Sequence, residues 1–213
     1  MIHDYVREYI KAIDEPLPEL AKTFESEFEF LKKNVNKNHT LLDVGGAARP
    51  AINLAPYVKK IVSIDNNQMM IDLALGRTEG IENIEIKKED ALNMGFPDNS
   101  FDLVYDTYNL IGSLEAVERK KLINEMKRVA KKGGKIMNIT WRDDNGTTEF
   151  LKKYYPAIGI NIWKINNRGT VTNKGTFDRF NKDELKKFYE EAGLKNIEFY
   201  TIGPVWMAIV GEK

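Results

Sequence analysis

The sequence of 213 residues predicts an α/β fold, in which a doubly wound, seven-stranded and mostly parallel sheet lies between two layers of helices. From residue 40 to residue 140, short apolar runs alternate with segments of helical periodicity, as in a parallel sheet with helical crossovers. Two strand-like runs near residue 200 lie too close together for such a crossover, so they should form an antiparallel hairpin. Because no repeat or low-complexity linker interrupts the pattern, we expect residues 1–213 to form one domain, a three-layer sandwich.

Residues 1–38 are expected to form a helical cap before the sheet begins. Apolar side chains recur at helical spacing over residues 4–13 and again over residues 18–34. Pro16 and Pro18 separate the two segments, because proline interrupts a preceding helix but is tolerated in a first turn. The cap should therefore contain two amphipathic helices.

Five strands and three helices are predicted in the alternating region. The strands are expected at residues 40–44, 60–64, 84–87, 101–105 and 135–140. The helices are expected at residues 51–58, 67–76 and 115–130. Gly133 and Gly134 are predicted to stop the last of these helices, since glycine is common after a helix C-terminus.

After the fifth strand this rhythm breaks. Residues 142–180 are rich in Asn, Gly, Thr and aromatic residues, which predicts an insertion or lid with weak secondary structure of its own. Asn181 and Glu184 then resemble a capping box, which predicts a helix over residues 181–192. The final hairpin is expected to use residues 196–200 and 206–210.

The composition argues against several classes of function. Lys plus Arg and Asp plus Glu number 32 each, so the formal net charge is +0 and gives no general attraction to nucleic acid or to an anionic membrane. The absence of cysteine excludes thiolate metal sites and a cysteine nucleophile, and only His3 and His39 are available for a histidine site, so no metal is expected. Because neither a signal peptide nor an apolar run of membrane-spanning length is visible, we expect a cytoplasmic protein.

The strongest local signal is the segment LLDVGGAAR at residues 41–49. Here a strand runs into a turn of small residues that opens a helix, where glycine lets the backbone approach a ligand and the helix N-terminus offers free N–H groups. An ordinary tight turn is the alternative. Asp65 ends the second strand about twenty residues later, where nucleotide-binding α/β proteins place an acid for the ribose hydroxyls. A surface acid is the alternative there, but both signals within one βαβ unit favour a nucleotide-like cofactor.

Further motifs in the same order resemble the class I S-adenosylmethionine-dependent methyltransferase family, from about residue 41 to the end of the chain. They are IDNNQMM at 64–70, EDA at 89–91, FPDNSFD at 96–102, RVAKKGGK at 128–135, FNKDEL at 180–185 and EAGL at 191–194. The resemblance implies S-adenosylmethionine as the cofactor, with its ribose held by Asp65. Adenine contacts are implied for Asn66, Met70, Asp90 and Ala91.

The glycine loop departs from the family's pattern, which usually shows an acid, a spacer and three alternating glycines. Without a gap, Ala47 and Arg49 occupy the second and third glycine places. With a loop one residue shorter, Gly45 and Gly46 are the first two glycines and Ala48 is the third, where a positive φ would cost roughly 1 kcal/mol. Arg49 either meets the cofactor carboxylate or is a solvated side chain at a helix end. The cofactor contacts implied for this loop are Asp43, Gly45, Gly46, Ala47 and Arg49.

No catalytic residue is fixed in the family, because methyl transfer from a sulfonium disperses charge and can proceed by alignment and exclusion of water. The resemblance therefore implies direct displacement, at an active face after the fourth strand. Asp106 either contributes to the cofactor site beside the sulfonium or caps the next helix, and Tyr108 either lines the methyl path or belongs to the core. Since no NPPY motif follows this strand, amino-methylation of nucleic-acid bases is disfavoured. Because the chain has no net basic charge, a small-molecule acceptor is expected.

Two segments are expected to cover the active face. His3, Tyr5 and Tyr9 lie on a segment that caps the site in many small-molecule members of the family, although a plain surface position is the alternative for His3. The aromatic residues in and beside the insertion suggest a substrate lid, or else packing on the sheet or a dimer contact. The lid candidates are Trp141, Tyr154, Tyr155, Trp163 and Arg168.

Two other functions compete with an active methyltransferase. A catalytically silent protein of this fold, which binds the cofactor or a partner, is favoured by the irregular glycine loop. An NAD-dependent oxidoreductase requires a GxGxxG motif, which is absent, and the later motifs fit it poorly.

Overall fold

The computed structural model of the protein describes residues 6–213, which form ten strands and eight α-helices. The strands are β1 (Thr40–Val44), β2 (Lys60–Asp65), β3 (Ile84–Lys88), β4 (Phe101–Asp106), β5 (Ala130–Trp141), β6 (Ile162–Asn166), β7 (Gly169–Thr172), β8 (Gly175–Asp178), β9 (Lys195–Ile202) and β10 (Trp206–Glu212). The helices are α1 (Val6–Asp14), α2 (Pro18–Lys33), α3 (Arg49–Leu54), α4 (Gln68–Arg77), α5 (Leu110–Ser113), α6 (Ala116–Val129), α7 (Asn145–Ala157) and α8 (Lys182–Glu191).

Seven strands form the main sheet in the order β3-β2-β1-β4-β5-β10-β9. The first five are parallel, and β10 runs antiparallel between β5 and β9, as the C-terminal hairpin was expected to do. The predicted fold class is therefore confirmed. The chain runs outward from β1 to β3 and then returns to place β4 on the other side of β1. Such a reversal opens a crevice at the carboxyl ends of β1 and β4.

Helices cover both faces of the main sheet, and each face buries its own apolar cluster. On one face α1, α2, α3, α4 and α7 contribute to a cluster that contains Leu41 of β1. On the other face α6 and α8 contribute to a cluster that contains Leu42. Since side chains alternate along a strand, Asp43 shares the face of Leu41, toward α1 and α2.

The prediction of weak secondary structure for residues 142–180 is wrong. The helix α7 begins at Asp144, whose side chain accepts a hydrogen bond from Thr147 N at 2.7 Å, and its apolar face packs on the main sheet. The three strands β6, β7 and β8 then form a separate antiparallel sheet, the small sheet, through two short hairpins. These strands are only four or five residues long, which leaves little room for a recognisable alternating pattern.

The predicted role of Gly133 and Gly134 is also wrong. The helix α6 ends at Val129, and β5 starts at once with Ala130. Gly133 lies within β5 at a φ of 73°, close to a register shift between β4 and β5. The glycines therefore accommodate an irregular strand, in which a left-handed residue is easiest for glycine.

The capping box at the last helix is confirmed. Asn181 Oδ1 accepts from Glu184 N at 2.9 Å, and Asn181 N donates to Glu184 Oε2 at 3.0 Å. Within residues 6–213, no helix is long and apolar enough to span a membrane. The same residues contain no group of three or more His, Asp or Glu side chains arranged to hold a metal ion.

Candidate active site

The pairing of the central strands brings the predicted site residues to one edge of the main sheet. Val44 at the end of β1 is the register partner of both Ile64 in β2 and Asp106 in β4. Asp65 ends β2 one residue later, opposite Lys88 of β3. The glycine loop, Asp65 and the segment after β4 therefore lie side by side at the carboxyl edge, where open α/β sheets bind ligands.

The glycine loop that follows β1 is held in an unusual backbone conformation. Gly45, Ala47 and Ala48 have φ values of 70°, 45° and 59°. Ala48 has the positive φ considered for the shorter alignment of the loop, and Ala47 shares this conformation. Alanine in the left-handed region costs roughly 1–2 kcal/mol per residue, and such strain concentrates at functional sites. At Gly46, an added Cβ would stand 3.0 Å from Asp43 Oδ1, so the loop passes directly over that carboxyl group.

Asp43 is a buried acid beneath this loop. Ser63 Oγ donates to its Oδ2 at 2.8 Å, whereas its Oδ1 has no hydrogen-bond partner among residues 6–213. Burial disfavours the charged form and raises the pKa of Asp43 to about 7. The pKa of this carboxyl group thus lies near neutral pH. One of its two oxygen atoms, Oδ1, remains free to accept a hydrogen bond from outside the described residues.

The segment after β2 orients Asp65 and starts the next helix. Asp65 Oδ1 accepts from Asn67 N at 2.9 Å, and Asn67 caps α4 by accepting from Met69 N at 2.9 Å. Burial raises the pKa of Asp65, whose side chain remains half-buried. Two of the predicted adenine contacts flank this turn: Asn66 is exposed, and Met70, in the first turn of α4, is buried.

The segment after β3 is joined to Asp65 by a hydrogen bond between backbone groups. Glu89 N donates to Asp65 O at 3.0 Å, which brings the next two residues beside the end of β2. Asp90 is exposed and its Oδ1 accepts from Leu92 N at 2.9 Å, while Ala91 is half-buried. All the residues predicted to contact ribose and adenine are therefore on neighbouring turns.

Arg49, the first residue of α3, is held in a buried ion pair. Its Nη1 and Nη2 donate to Glu27 Oε2 and Oε1 at 2.5 and 2.8 Å, and Nη2 also reaches Thr107 Oγ1 at 3.2 Å. The proposal of a solvated side chain at a helix end is therefore wrong. Burial opposes the charge, but the Glu27 carboxylate outweighs it and raises the pKa of Arg49. Sequence reasoning missed Glu27, although it follows Phe24 by three residues and so lies on the apolar face of α2.

Asp106 ends β4 but faces away from the glycine loop, toward α6 and α8. Asn138 Nδ2 donates to Asp106 Oδ2 at 2.5 Å, and Tyr189 OH donates to Asn138 Oδ1 at 2.6 Å. The alternative in which Asp106 caps the next helix is wrong, because Asn109 occupies that position. Full burial disfavours the charged form and raises the pKa of Asp106 well above its usual value.

Tyr108 lies at the centre of an aromatic cluster on the sheet face that α1, α2 and α7 cover, opposite to the face of Asp106. Its φ is 62°, and its hydroxyl is hydrogen-bonded to that of Tyr154 in α7. The ring centroids of Tyr9, Trp141 and Trp206 lie 5.6, 6.0 and 5.6 Å from that of Tyr108. The aromatic cluster consists of Tyr9, Phe24, Tyr108, Trp141, Phe150, Tyr154 and Trp206.

The predicted covers contribute unequally to this cluster. Tyr9 on α1 is buried, and its hydroxyl donates to Gly46 O at 2.8 Å, which ties the cap to the glycine loop. His3 and Tyr5 lie outside the described residues. Trp163 is 72% exposed, and Arg168 pairs with Glu184 at the surface, so neither of these lid candidates belongs to the cluster.

This arrangement agrees with the comparisons with known proteins. Residues 42–138 match the model of a methyltransferase domain family. The matched residues are slightly less than half of the chain, which is thus similar to this methyltransferase domain family. The comparisons support an S-adenosylmethionine-dependent methyltransferase and imply S-adenosylmethionine as its cofactor.

The similar curated proteins include one methyltransferase whose name gives a substrate and one that is uncharacterized. A demethylmenaquinone methyltransferase of Staphylococcus saprophyticus is 27% identical over 177 residues, which cover 78% of this chain and 74% of that protein. An uncharacterized methyltransferase of Bacillus subtilis is 29% identical over 138 residues, which cover 63% of this chain and 50% of that protein. The chain thus spans between half and three quarters of the length of these curated relatives. The crystal structure of a Pyrococcus horikoshii protein superposes with a TM-score of 0.75 at 21% identity, covering 98% of each chain, and supports the fold.

The residues at the carboxyl edge fit S-adenosylmethionine. At Gly45 and Gly46 an added Cβ would stand 3.0 Å from Leu110 or Asp43, so only glycine lets the loop backbone pass this close to the two side chains. Asp43 Oδ1 is a buried acceptor that still lacks a donor within residues 6–213. Asp65, half-buried and oriented by the backbone, has the position and chemistry of a ribose acid.

Proposed function

We propose that the methyltransferase moves a methyl group from S-adenosylmethionine to a small-molecule acceptor by direct displacement. The observation that carries this proposal is the aromatic cluster, which borders the glycine loop and is enclosed by α1, α2 and α7. A buried, mostly apolar cluster that carries a few hydroxyl groups is the kind of lining that suits a small molecule rather than a macromolecular surface. The similarity to a demethylmenaquinone methyltransferase, whose name denotes a small-molecule acceptor, supports the same class.

In this proposal the cofactor lies along the carboxyl ends of β1, β2 and β3. Asp65 accepts hydrogen bonds from the ribose, and the adenine lies between the turns that follow β2 and β3. The adenine contacts are Asn66, Met70, Asp90 and Ala91. The amino-acid end lies over the glycine loop, whose contributing residues are Asp43, Gly45, Gly46 and Ala47.

Two predicted cofactor residues act indirectly in this proposal. Arg49 has both terminal nitrogens engaged by Glu27, so it fixes the start of α3 and the shape of the loop instead of meeting the cofactor carboxylate. Asp106 supports the end of β4 through Asn138, on the face away from the loop. Both are positioning residues.

S-adenosylmethionine supplies a methyl group on a positively charged sulfonium. The protein contributes by aligning the acceptor and by excluding water. In this proposal the aromatic cluster performs both tasks. Tyr108 follows β4 by two residues and is our candidate for lining the methyl path. Its hydroxyl, already bonded to that of Tyr154, can orient a polar group of the acceptor through a hydrogen bond.

A catalytically silent cofactor-binding protein is the second candidate, and the strained loop favours it. Alanine stands at two left-handed positions, and Tyr9 holds the carbonyl of Gly46 from above. Both features restrict the loop that an active member uses to receive the cofactor.

Calorimetric titration of the full chain with S-adenosylmethionine, S-adenosylhomocysteine and NAD separates these functions. Our proposal predicts binding of the first two ligands and no binding of NAD. It also predicts transfer of labelled methyl to at least one member of a panel of phenols, quinols, amines and thiols. Binding without transfer to any member would favour the silent protein, and no binding of either methionine-derived ligand would contradict both.

A further inference from the structure

Arg179, the residue after β8, is buried between the small sheet and α7 without a direct ion pair to a carboxylate of the described residues, although Asp143 and Asp144 act on its charge from a distance. It is 1% exposed. Its Nε donates to Asn167 O at 3.1 Å and its Nη2 donates to Thr148 Oγ1 at 3.2 Å, both of which are uncharged acceptors. Its Nη1 has no hydrogen-bond partner, and no ion pair joins Arg179 to a carboxylate, among residues 6–213.

This state is unfavourable for a guanidinium group. Arginine stays protonated in proteins, so its charge is not avoided by loss of a proton, even though burial lowers the pKa of Arg179. Arg49 differs, because a carboxylate offsets its charge: both of its terminal nitrogens donate to Glu27, and only its Nε lacks a partner among the described residues. A buried cation with an unused donor is therefore a position where an anion from outside the chain would be stabilised.

A second unpartnered polar atom lies on the same face of the small sheet. Thr170 in β7 is the register partner of Phe177 in β8, and Arg179 follows Phe177 by two residues. Arg179 N donates to Arg168 O at 2.8 Å, which continues the pairing by one residue. Since side chains alternate along a strand, Thr170 and Arg179 share one face and are diagonal neighbours. Thr170 Oγ1 is buried and also lacks a hydrogen-bond partner among the described residues.

This polar pair adjoins the proposed acceptor side of the active site. Phe177, between Thr170 and Arg179, stacks on Tyr155 at 5.7 Å, and Tyr155 contacts Tyr154 of the aromatic cluster at 5.3 Å. A hydrogen bond from a side chain to the backbone gives a second link, because Asn109 Nδ2 donates to Asp178 O at 3.4 Å. The two bonded residues are sequence neighbours of Tyr108 and of Arg179, respectively. This hydrogen bond therefore connects the aromatic cluster to the polar pair of Thr170 and Arg179.

We infer that Arg179, together with Thr170, binds an anionic group of the methyl acceptor, a carboxylate or a phosphate. This inference rests on the proposed function, because it assigns the charge of the acceptor in that same site. A planar guanidinium and a hydroxyl can donate to two oxygens of such a group. The aromatic cluster then receives the apolar part of an acceptor anchored at its far end.

The test is a thermal-shift titration of the full chain with benzoate, phenyl phosphate and the neutral benzamide. We expect at least one of the two anions to raise the melting temperature in a saturable manner, and benzamide to have no effect. Which anion binds more tightly decides between carboxylate and phosphate. The Arg179→Gln variant should bind the effective anion about tenfold more weakly or worse, as expected for loss of a charged hydrogen bond.

Two further variants keep the result interpretable. Arg168→Gln changes an exposed arginine of the same small sheet and should respond to the anion as the unmodified chain does. Thr170→Val replaces the hydroxyl by a methyl group and should lower the affinity for the anion a few-fold. Equal responses of the unmodified chain and Arg179→Gln would overturn the inference, as would the absence of a response to both anions.

Failure here is distinguishable from failure of the proposed function. S-adenosylhomocysteine is titrated into the same samples, and Arg179→Gln should bind it as the unmodified chain does. If this ligand binds while neither anion acts, only the inference about Arg179 is overturned. If this ligand does not bind, the proposed function fails, whatever the anions do.

Discussion

Two regions of different character meet at the carboxyl edge of the main sheet. The cofactor half, formed by the turns after β1, β2 and β3, is held by hydrogen bonds between near neighbours, such as Asn67 N to Asp65 and Leu92 N to Asp90. The cover, formed by α1, α2, α7 and the small sheet, is held by buried contacts between distant segments. Tyr9 and Gly46 are 37 residues apart, and Tyr108 and Tyr154 are 46 apart.

This difference separates binding from stability. Substitutions in the cofactor half remove ligand contacts from partly exposed turns, so they should change affinity and leave the folded state nearly as stable. Substitutions in the cover remove buried partners, so they should change the free energy of unfolding. Glu27 lies in the cover and Asp65 in the cofactor half, with Asp43 at the boundary.

The largest effect is expected for Glu27→Gln in the cover. The substitution leaves Arg49 buried without its carboxylate, which typically costs about 3–5 kcal/mol in the free energy of unfolding. Urea denaturation measures this loss. Glu25→Gln, at an exposed position of the same helix, is the matched control and should change stability by less than about 0.5 kcal/mol.

A double variant tests whether this cost belongs to the uncompensated charge. Replacing both Glu27 and Arg49 by Met removes the charges together and should recover most of the lost stability, because an apolar pair of similar volume substitutes well for a buried ion pair. A loss under about 1 kcal/mol for Glu27→Gln alone would contradict the structural role of this pair.

Asp43 should give an intermediate effect that depends on pH. Burial raises its pKa from the ordinary value of 3.8 to about 7, so the folded state binds the proton more tightly than the unfolded chain does. The resulting stabilisation is complete below about pH 4 and is lost as the pH rises through 7. Between about pH 5 and 7, the unmodified chain should lose roughly 2 kcal/mol relative to Asp43→Asn, which cannot ionise.

Urea denaturation of both proteins at a series of pH values measures this difference. The side-chain amide that Asp43→Asn introduces can still accept from Ser63, so packing is retained while the titration is removed. Parallel pH profiles for the two proteins would show that Asp43 titrates normally. The boundary between the two regions would then not contain a buried, weakly acidic group.

The same contrast explains what the sequence could and could not predict. In the cofactor half each role is set by a local turn, so the strand ends, Asp65 and the positive φ of Ala48 follow from short patterns. The Glu27–Arg49 pair and the Arg179 site depend on contacts between segments far apart in the chain, which no local pattern encodes. The helix α7 carried a helical pattern from Phe150 to Ile158, but Gly146 and Pro156 at its two ends disguised it.

The central claim is that the cofactor is held by the exposed turns of the cofactor half, with Asp65 as the ribose acid. Calorimetric titration of Asp65→Ala with S-adenosylhomocysteine tests it most directly, with Asp72→Ala on the exposed side of α4 as the matched control. We predict an affinity at least about tenfold lower for Asp65→Ala, with an unchanged circular dichroism spectrum, and an unchanged affinity for Asp72→Ala. Equal affinities in the unmodified chain and Asp65→Ala would contradict the claim.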